Sequence, residues 1–288
     1  MRSVLERATA YGRMIRFTHS VFALPFALSS AVVAAHLGGV TTSQVVWIVV
    51  AMVAARSAAM GFNRLADHAI DARNPRTAGR ELPRGVLSRA EVWSFVILSA
   101  AAFVLAAGML NPLCLALSPV ALLVILGYSY TKRVTAASPL VLGLSLAIAP
   151  VGAWLAIRGR VEAFPIGLAL AVVLWVAGFD TIYACQDADF DRREGLRSIP
   201  ASLGVPRALA AARGLHVGAV LALAGLYWLT PLHPLYLVGV AVVAGLLAWE
   251  HTLVRPDDLR RVMQAFNLNG WVSLGYLAFT ALASWLVR

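Results

Sequence analysis

Charge is scarce in this chain, and negative charge is scarcest. Of 288 residues, 13% are Asp, Glu, Lys or Arg, and 14 acids stand against 24 basic residues. A soluble domain carries roughly 25% charge, so this composition argues against an ordinary water-soluble fold. Cysteine is also sparse. Cys114 and Cys185 lie in apolar context and form no C-x-x-C pair, which excludes a cysteine-based zinc site and reads as two unpaired packing residues. What the chain has in quantity is hydrophobic surface: 60% of residues, with a mean hydropathy of +0.77. Such a chain has lipid as its solvent. Its net charge of +10 does not signal nucleic acid, because the basic residues sit in short segments beside apolar runs, where membrane topology requires them. No nucleic-acid or protein partner is predicted.

A helix needs about 20 mostly apolar residues to cross the hydrocarbon. Nine runs qualify, near 17–37, 43–62, 92–109, 111–128, 138–157, 164–184, 208–229, 233–250 and 267–286. They are too long for barrel strands and lack strict alternation. The expected fold is therefore an all-α integral membrane protein with nine transmembrane helices, formed as a single membrane-embedded domain over 1–288. With the N-terminus inside, 19 basic residues fall on the cytoplasmic side and three, Arg158, Arg160 and Arg288, on the other. That bias predicts the N-terminus in and the C-terminus out. The first run exceeds the about 7–15 residues of a signal-peptide core and reads as a retained span.

Against this scarcity, the acids cluster. Eight of the fourteen fall between 67 and 81 or between 180 and 194. The first cluster reads Asn63-Arg-Leu-Ala-Asp67-His-Ala-Ile-Asp71. Its members are four apart and share one face of an α-helix. The second reads Asp180-Thr-Ile-Tyr183-Ala-Cys-Gln-Asp187-Ala-Asp-Phe-Asp191, which predicts a stripe of Asp180, Tyr183, Asp187 and Asp191. Like charges one turn apart repel, and burial near lipid costs more. A hard divalent cation with oxygen ligands is the simplest remedy, and Mg²⁺ commonly binds through one or two carboxylates plus substrate phosphates. Asp180 lies inside an apolar run, where an ionisable residue is a functional candidate by default.

Cations for phosphate surround the clusters: Arg64, Arg73, Arg76, Arg80, Arg84, Lys132, Arg133, Arg192, Arg193 and Arg197. Arginine forks suit phosphate oxygens, and lysine acts as a point charge. On an α-helix Tyr128 and Lys132 would lie one turn apart on one face. His19 and His68 sit near motif ends and read as packing or interface residues. The two acid segments also repeat. Asp67 and Asp187 are 120 residues apart, as are Asp71 and Asp191, and each segment leads to an Arg-x-Leu/Ile-Pro sequence, at Arg80–Pro83 and Arg197–Pro200. A structural repeat with one half-site in each copy is the expectation.

These residues resemble the UbiA superfamily of membrane prenyltransferases. The match lies in N-x-x-x-D-x-x-x-D at 63–71, D-x-x-Y-x-x-x-D-x-x-x-D at 180–191 and Y-x-x-x-K at 128–132. The strings at 71–83 and 183–195 are similar to the 4-hydroxybenzoate polyprenyltransferase-like branch, and Phe17–Phe26 resembles the family's first span. The resemblance implies nine helices around a central cavity. It implies metal ligation by Asn63, Asp67 and Asp71 on one side and Asp187 and Asp191 on the other. Arg64, Lys132 and Arg133 would contact diphosphate, and Tyr128 and Tyr183 would face the site. The implied activity is Mg²⁺-dependent transfer of a polyprenyl group from polyprenyl diphosphate to a small aromatic acceptor, 4-hydroxybenzoate or similar, in quinone biosynthesis at the cytoplasmic face of the inner membrane. Two alternatives stay open: a naphthoate-type acceptor of the futalosine menaquinone route, and a transporter in which Asp180 is an ion ligand.

Overall fold

The computed structural model describes residues 4–15 and 22–287. His19 and residues 17–21 of the first expected span lie outside them. The described chain is helical: α1 Val4–Met14, α2 Ala23–Gly38, α3 Thr42–Ala66, α4 His68–Arg73, α5 Arg89–Leu110, α6 Pro112–Gly127, α7 Ser138–Arg158, α8 Ala163–Ala184, α9 Ala188–Arg193, α10 Ile199–Leu203, α11 Val205–Gly225, α12 Leu235–Leu253 and α13 Val262–Trp285.

Among the described residues, seven helices are long and apolar enough to cross a membrane: α3, α5, α6, α7, α8, α11 and α12, several extended by a short flanking turn. Two of the nine expected runs fall short of that standard for different reasons. Helix α2 has only 16 described residues, and α13, with 24, carries Gln264, Asn267 and Asn269 among its apolar residues. Large apolar side chains point outward, among them Leu98 on α5 and Leu123 on α6 at 70% and 73% exposure. Surface of that kind is stable against lipid and costly in water.

Local signals set the helix boundaries. Ser88 and Glu91 form a reciprocal capping box at the start of α5. Helices α5 and α6 are joined by Asn111 alone, in extended backbone. Its Oδ1 accepts from Cys114 N at 2.8 Å, and Pro112 supplies a first position that needs no donor. Helix α7 ends at Gly159 with φ of 67°, a left-handed cap that glycine takes without strain.

The chain divides into two compact units, 1–20 with 45–130 and 21–44 with 131–288. In the first, α3 packs on α5 where Gly61 meets Val96 and Phe95 closely. In the second, α2, α7, α8, α11, α12 and α13 contact one another in that order, and α13 returns to α2. Helix α8 is the best buried of the candidate spans. Inside this ring, Asn269 on α13 accepts from Trp175 Nε1 of α8 at 2.6 Å and donates to Glu250 Oε1 of α12 at 3.0 Å. His216 on α11 reaches the Trp175 carbonyl at 3.2 Å and His251 at 3.0 Å. In a dry interior each such bond is worth more than in water, and its loss strands a buried group. The network ties three neighbouring helices to α8, whose C-terminal end carries the second acid motif.

Candidate active site

Both acid motifs begin on a long helix and then break it in the same way. Helix α3 ends at Ala66, and Asp67 takes φ −94°, ψ 4° before the six-residue α4. Helix α8 ends at Ala184, a 3₁₀ turn covers Cys185–Asp187, and Asp187 takes φ −103°, ψ 5° before the six-residue α9. Asp71 and Asp191 then occupy equivalent places in those short helices. The 120-residue repeat is thus present in the backbone as well as in the spelling. The continuous α-helical stripes expected from spacing are corrected here. Each is interrupted at its middle aspartate, because a near-zero ψ leaves the α region.

In the first unit, Asn63 Nδ2 donates to Asp67 Oδ2 at 3.0 Å and to Ser129 Oγ at 3.5 Å. Using the amide nitrogen this way leaves Asn63 Oδ1 as the acceptor for another group. Asp71 is 5% exposed, and Arg80 Nη1 lies 2.7 Å from both of its carboxylate oxygens. Thr77 Oγ1 secures the Asp71 carbonyl at 3.0 Å. Arg64 is buried in the last turn of α3, and Tyr128 is half-buried.

In the second unit, Asp180 is half-buried, and the Tyr183 ring packs on Phe266 with centroids 4.8 Å apart. Phe266 in turn meets Phe179 at 5.5 Å, and Phe179 meets Trp175 at 5.0 Å, an aromatic column running from the acid motif into the core. Asp187 and Asp191 are 5% and 2% exposed. Asp191 Oδ2 is buried without a hydrogen-bond partner. A buried carboxylate oxygen left in that state is costly unless a cation meets it. The donor set therefore fits a hard divalent ion. Among the described residues no three His, Cys, Asp or Glu side chains group closely enough to hold an ion alone. Each half-site brings one or two carboxylates, and phosphate oxygens and water suit the remaining positions.

Two expectations about cations change. The segment Tyr128–Arg133 is 3₁₀ rather than α, so at about 120° per residue Tyr128 eclipses position 131 and Lys132 is rotated away from it. Arg197 does not reach toward the acids. Its Nη1 bonds the Val134 carbonyl at 2.6 Å and its backbone N bonds the Lys132 carbonyl at 2.7 Å, so it braces the segment that presents Lys132. Arg133 is exposed, and Arg192 is engaged with Asp189 at 2.8 Å. Lys132 is half-buried and is the only lysine among the 24 basic residues. The structure adds Arg56, which the span assignment passed over. It lies inside α3, seven residues before Asn63, close enough to Tyr128 for the two to interact electrostatically.

Known proteins resemble this chain in sequence and in fold. The 4-hydroxybenzoate octaprenyltransferase of Tolumonas auensis is 33% identical over 229 residues, covering 79% of each chain. The enzyme of that name from Paraburkholderia phytofirmans is 31% identical over 294 residues and 98% of both chains. Among solved structures, an apo UbiA homologue from Aeropyrum pernix K1 superposes with a TM-score of 0.84 at 36% identity, covering 92% of this chain and 98% of that one. A UbiA homologue from Archaeoglobus fulgidus bound to GPP and Mg²⁺ shares the fold at a TM-score of 0.72 and 18% identity, over 95% and 99% of the two chains. Residues 23–283 match the UbiA prenyltransferase family, and the chain belongs to that family of integral membrane prenyltransferases.

Proposed function

We propose that this protein transfers a polyprenyl group from its diphosphate to 4-hydroxybenzoate and uses Mg²⁺ to do so. The observation that carries the reading is the pair of matching acid turns, at Asp67–Asp71 and Asp187–Asp191, set on a chain related throughout its length to enzymes of that name. The relatives' names favour hydroxybenzoate over a naphthoate-type acceptor, and membership of a transferase family disfavours the transporter.

Bound Mg²⁺ would supply electrostatic stabilisation of the leaving diphosphate. In the first unit Asn63, Asp67 and Asp71 would hold metal, and in the second Asp187 and Asp191 would do so, with Asp180 and Tyr183 near that second set. As the allylic carbon–oxygen bond breaks, the electron pair leaves with the diphosphate. Lys132 and Arg64 stabilise that charge more in the transition state than in the bound substrate. The allylic cation is captured by an electron-rich ring carbon of the acceptor, and the ring proton passes to a diphosphate oxygen or an aspartate. Purified protein in detergent, given polyprenyl diphosphate and Mg²⁺, is expected to yield prenylated 4-hydroxybenzoate and diphosphate in equal amounts by mass spectrometry. Turnover with a dihydroxynaphthoate and none with hydroxybenzoate would overturn the acceptor assignment.

The reading places nine crossings in the inner membrane, with α2 and α13 completing the set. Both acid turns then face the cytoplasm. Cysteines introduced at Ala90 and Val161, in a background lacking Cys114 and Cys185, test this. An impermeant thiol reagent outside intact cells is expected to label position 161 only; labelling of position 90 from outside overturns the orientation.

A further inference from the structure

The two acid turns match in backbone and differ in what meets their outer carboxylates. In the first, a single guanidinium nitrogen, Arg80 Nη1, straddles Oδ1 and Oδ2 of Asp71 at 2.7 Å each. In the second, Asp191 is 2% exposed and its Oδ2 has no partner. The arginine that the repeat would offer in that place, Arg197, is turned to the Val134 carbonyl at 2.6 Å. Chain length explains the difference. Nine residues separate Asp71 from Arg80, enough for successive turns to bring the side chain back. Six separate Asp191 from Arg197, and the chain then enters α10, capped by Ser198.

These environments are not equivalent toward a cation. Asp191 offers a desolvated oxygen whose cost a metal ion would relieve. Asp71 is already neutralised, and a second cation arriving beside the guanidinium meets like charge at close range. Yet the Arg80 contact uses the arginine fork only in part, since its Nε is also buried and unpartnered. Guanidinium forks bind phosphate oxygens as readily as carboxylates. Arg80 therefore has a use for a phosphate group that Asp71 alone does not meet.

We propose that Arg80 is an internal counter-ion that orders metal loading: the Asp187–Asp191 turn takes a divalent cation in the free protein, and the Asp67–Asp71 turn takes one only when a diphosphate draws Arg80 off Asp71. This rests on the function proposed above for the identity of the diphosphate, but its first test needs neither substrate nor turnover.

The experiment counts Mn²⁺ bound to purified protein by electron paramagnetic resonance, first without ligand and then with a slowly reacting prenyl thiolodiphosphate. Wild-type protein is expected to bind one ion alone and two with the analogue. Asp191→Asn is expected to lose the ion of the free protein, and Asp71→Asn to keep it. Arg80→Gln is expected to take up a second ion without the analogue, with at least tenfold higher affinity at that site, while Arg80→Lys keeps the single-ion count. Melting temperatures establish that each variant is folded. Two ions, or none, on free wild-type protein would overturn the proposal. So would weaker metal binding in Arg80→Gln, which would mean that Arg80 holds Asp71 in place for the metal. Failure to bind the analogue at all would count against the proposed function, while the ion count of the free protein would still test the order.

Discussion

Asp67→Asn and Asp187→Asn are each expected to lower kcat/KM for prenyl transfer by on the order of 10³-fold, about 4 kcal/mol of transition-state stabilisation, with the protein still folded. The substitution is nearly isosteric and removes one negative charge. Both residues sit at a helix break without capping the short helix that follows, so the backbone should tolerate the change. In Asp67→Asn the new side-chain carbonyl can still accept the bond that Asn63 Nδ2 makes to Asp67 Oδ2. Insertion should also be unaffected, because acids contribute little to topology. What is lost is the carboxylate that a divalent ion requires. Chelation by EDTA is expected to abolish wild-type turnover and added Mg²⁺ to restore it, whereas Mg²⁺ should not restore either variant to wild-type rates. The checks are steady-state kinetics in detergent and a melting temperature within about 3 °C of wild type. Normal turnover in either variant removes that residue from the site.

The helices were largely legible in the sequence because lipid imposes a coarse rule. Each candidate span must be long and apolar. The split at Asn111-Pro112 was the weakest of them, because one residue is a very short connection, and the Asn111 cap with Pro112 at the first helical position explains how it is made. The acid motifs were legible because acids are rare here, so a cluster stands out. The break at Asp67 and Asp187 was not. A spacing of four fits an unbroken α-helix as well as two helices meeting at a kinked residue, and only the backbone distinguishes them. Arg80 and Arg197 carry the same local spelling and do different things, because the intervening loops differ by three residues and turn the side chains apart. Lys132 had a signal that spacing ignored: a chain with 23 arginines and one lysine uses lysine where a compact ammonium differs from a fork. Arg56 was lost through topology counting. Nineteen basic residues on one side and three on the other leave two of the 24, Arg56 and Arg213, inside predicted spans.

Arg56→Gln is expected to raise KM for 4-hydroxybenzoate about 100-fold while leaving KM for the prenyl diphosphate within about threefold. A cation within a span is expensive and needs a reason. Seven residues before Asn63 is nearly two full turns, so Arg56 shares the face of α3 that leads to the acid motif, roughly 10 Å deeper along the helix. An acceptor with a phenol and a carboxylate needs a cation for the carboxylate, away from the carboxylates proposed to hold the metal. A charge-assisted contact in such a setting contributes about 1.5–3 kcal/mol. The competing role is structural, since Arg56 Nη2 also reaches the Ile15 carbonyl at 3.4 Å. An acceptor analogue separates the two. With 4-hydroxybenzamide, which lacks the negative charge, wild-type protein should discriminate strongly against the amide, and Arg56→Gln should accept acid and amide about equally. Arg56→Lys should fall between, keeping charge and losing the planar fork. A purely structural arginine would lower stability and the rates with both acceptors in proportion, leaving the acid-to-amide ratio at its wild-type value, and that result would remove Arg56 from the acceptor site.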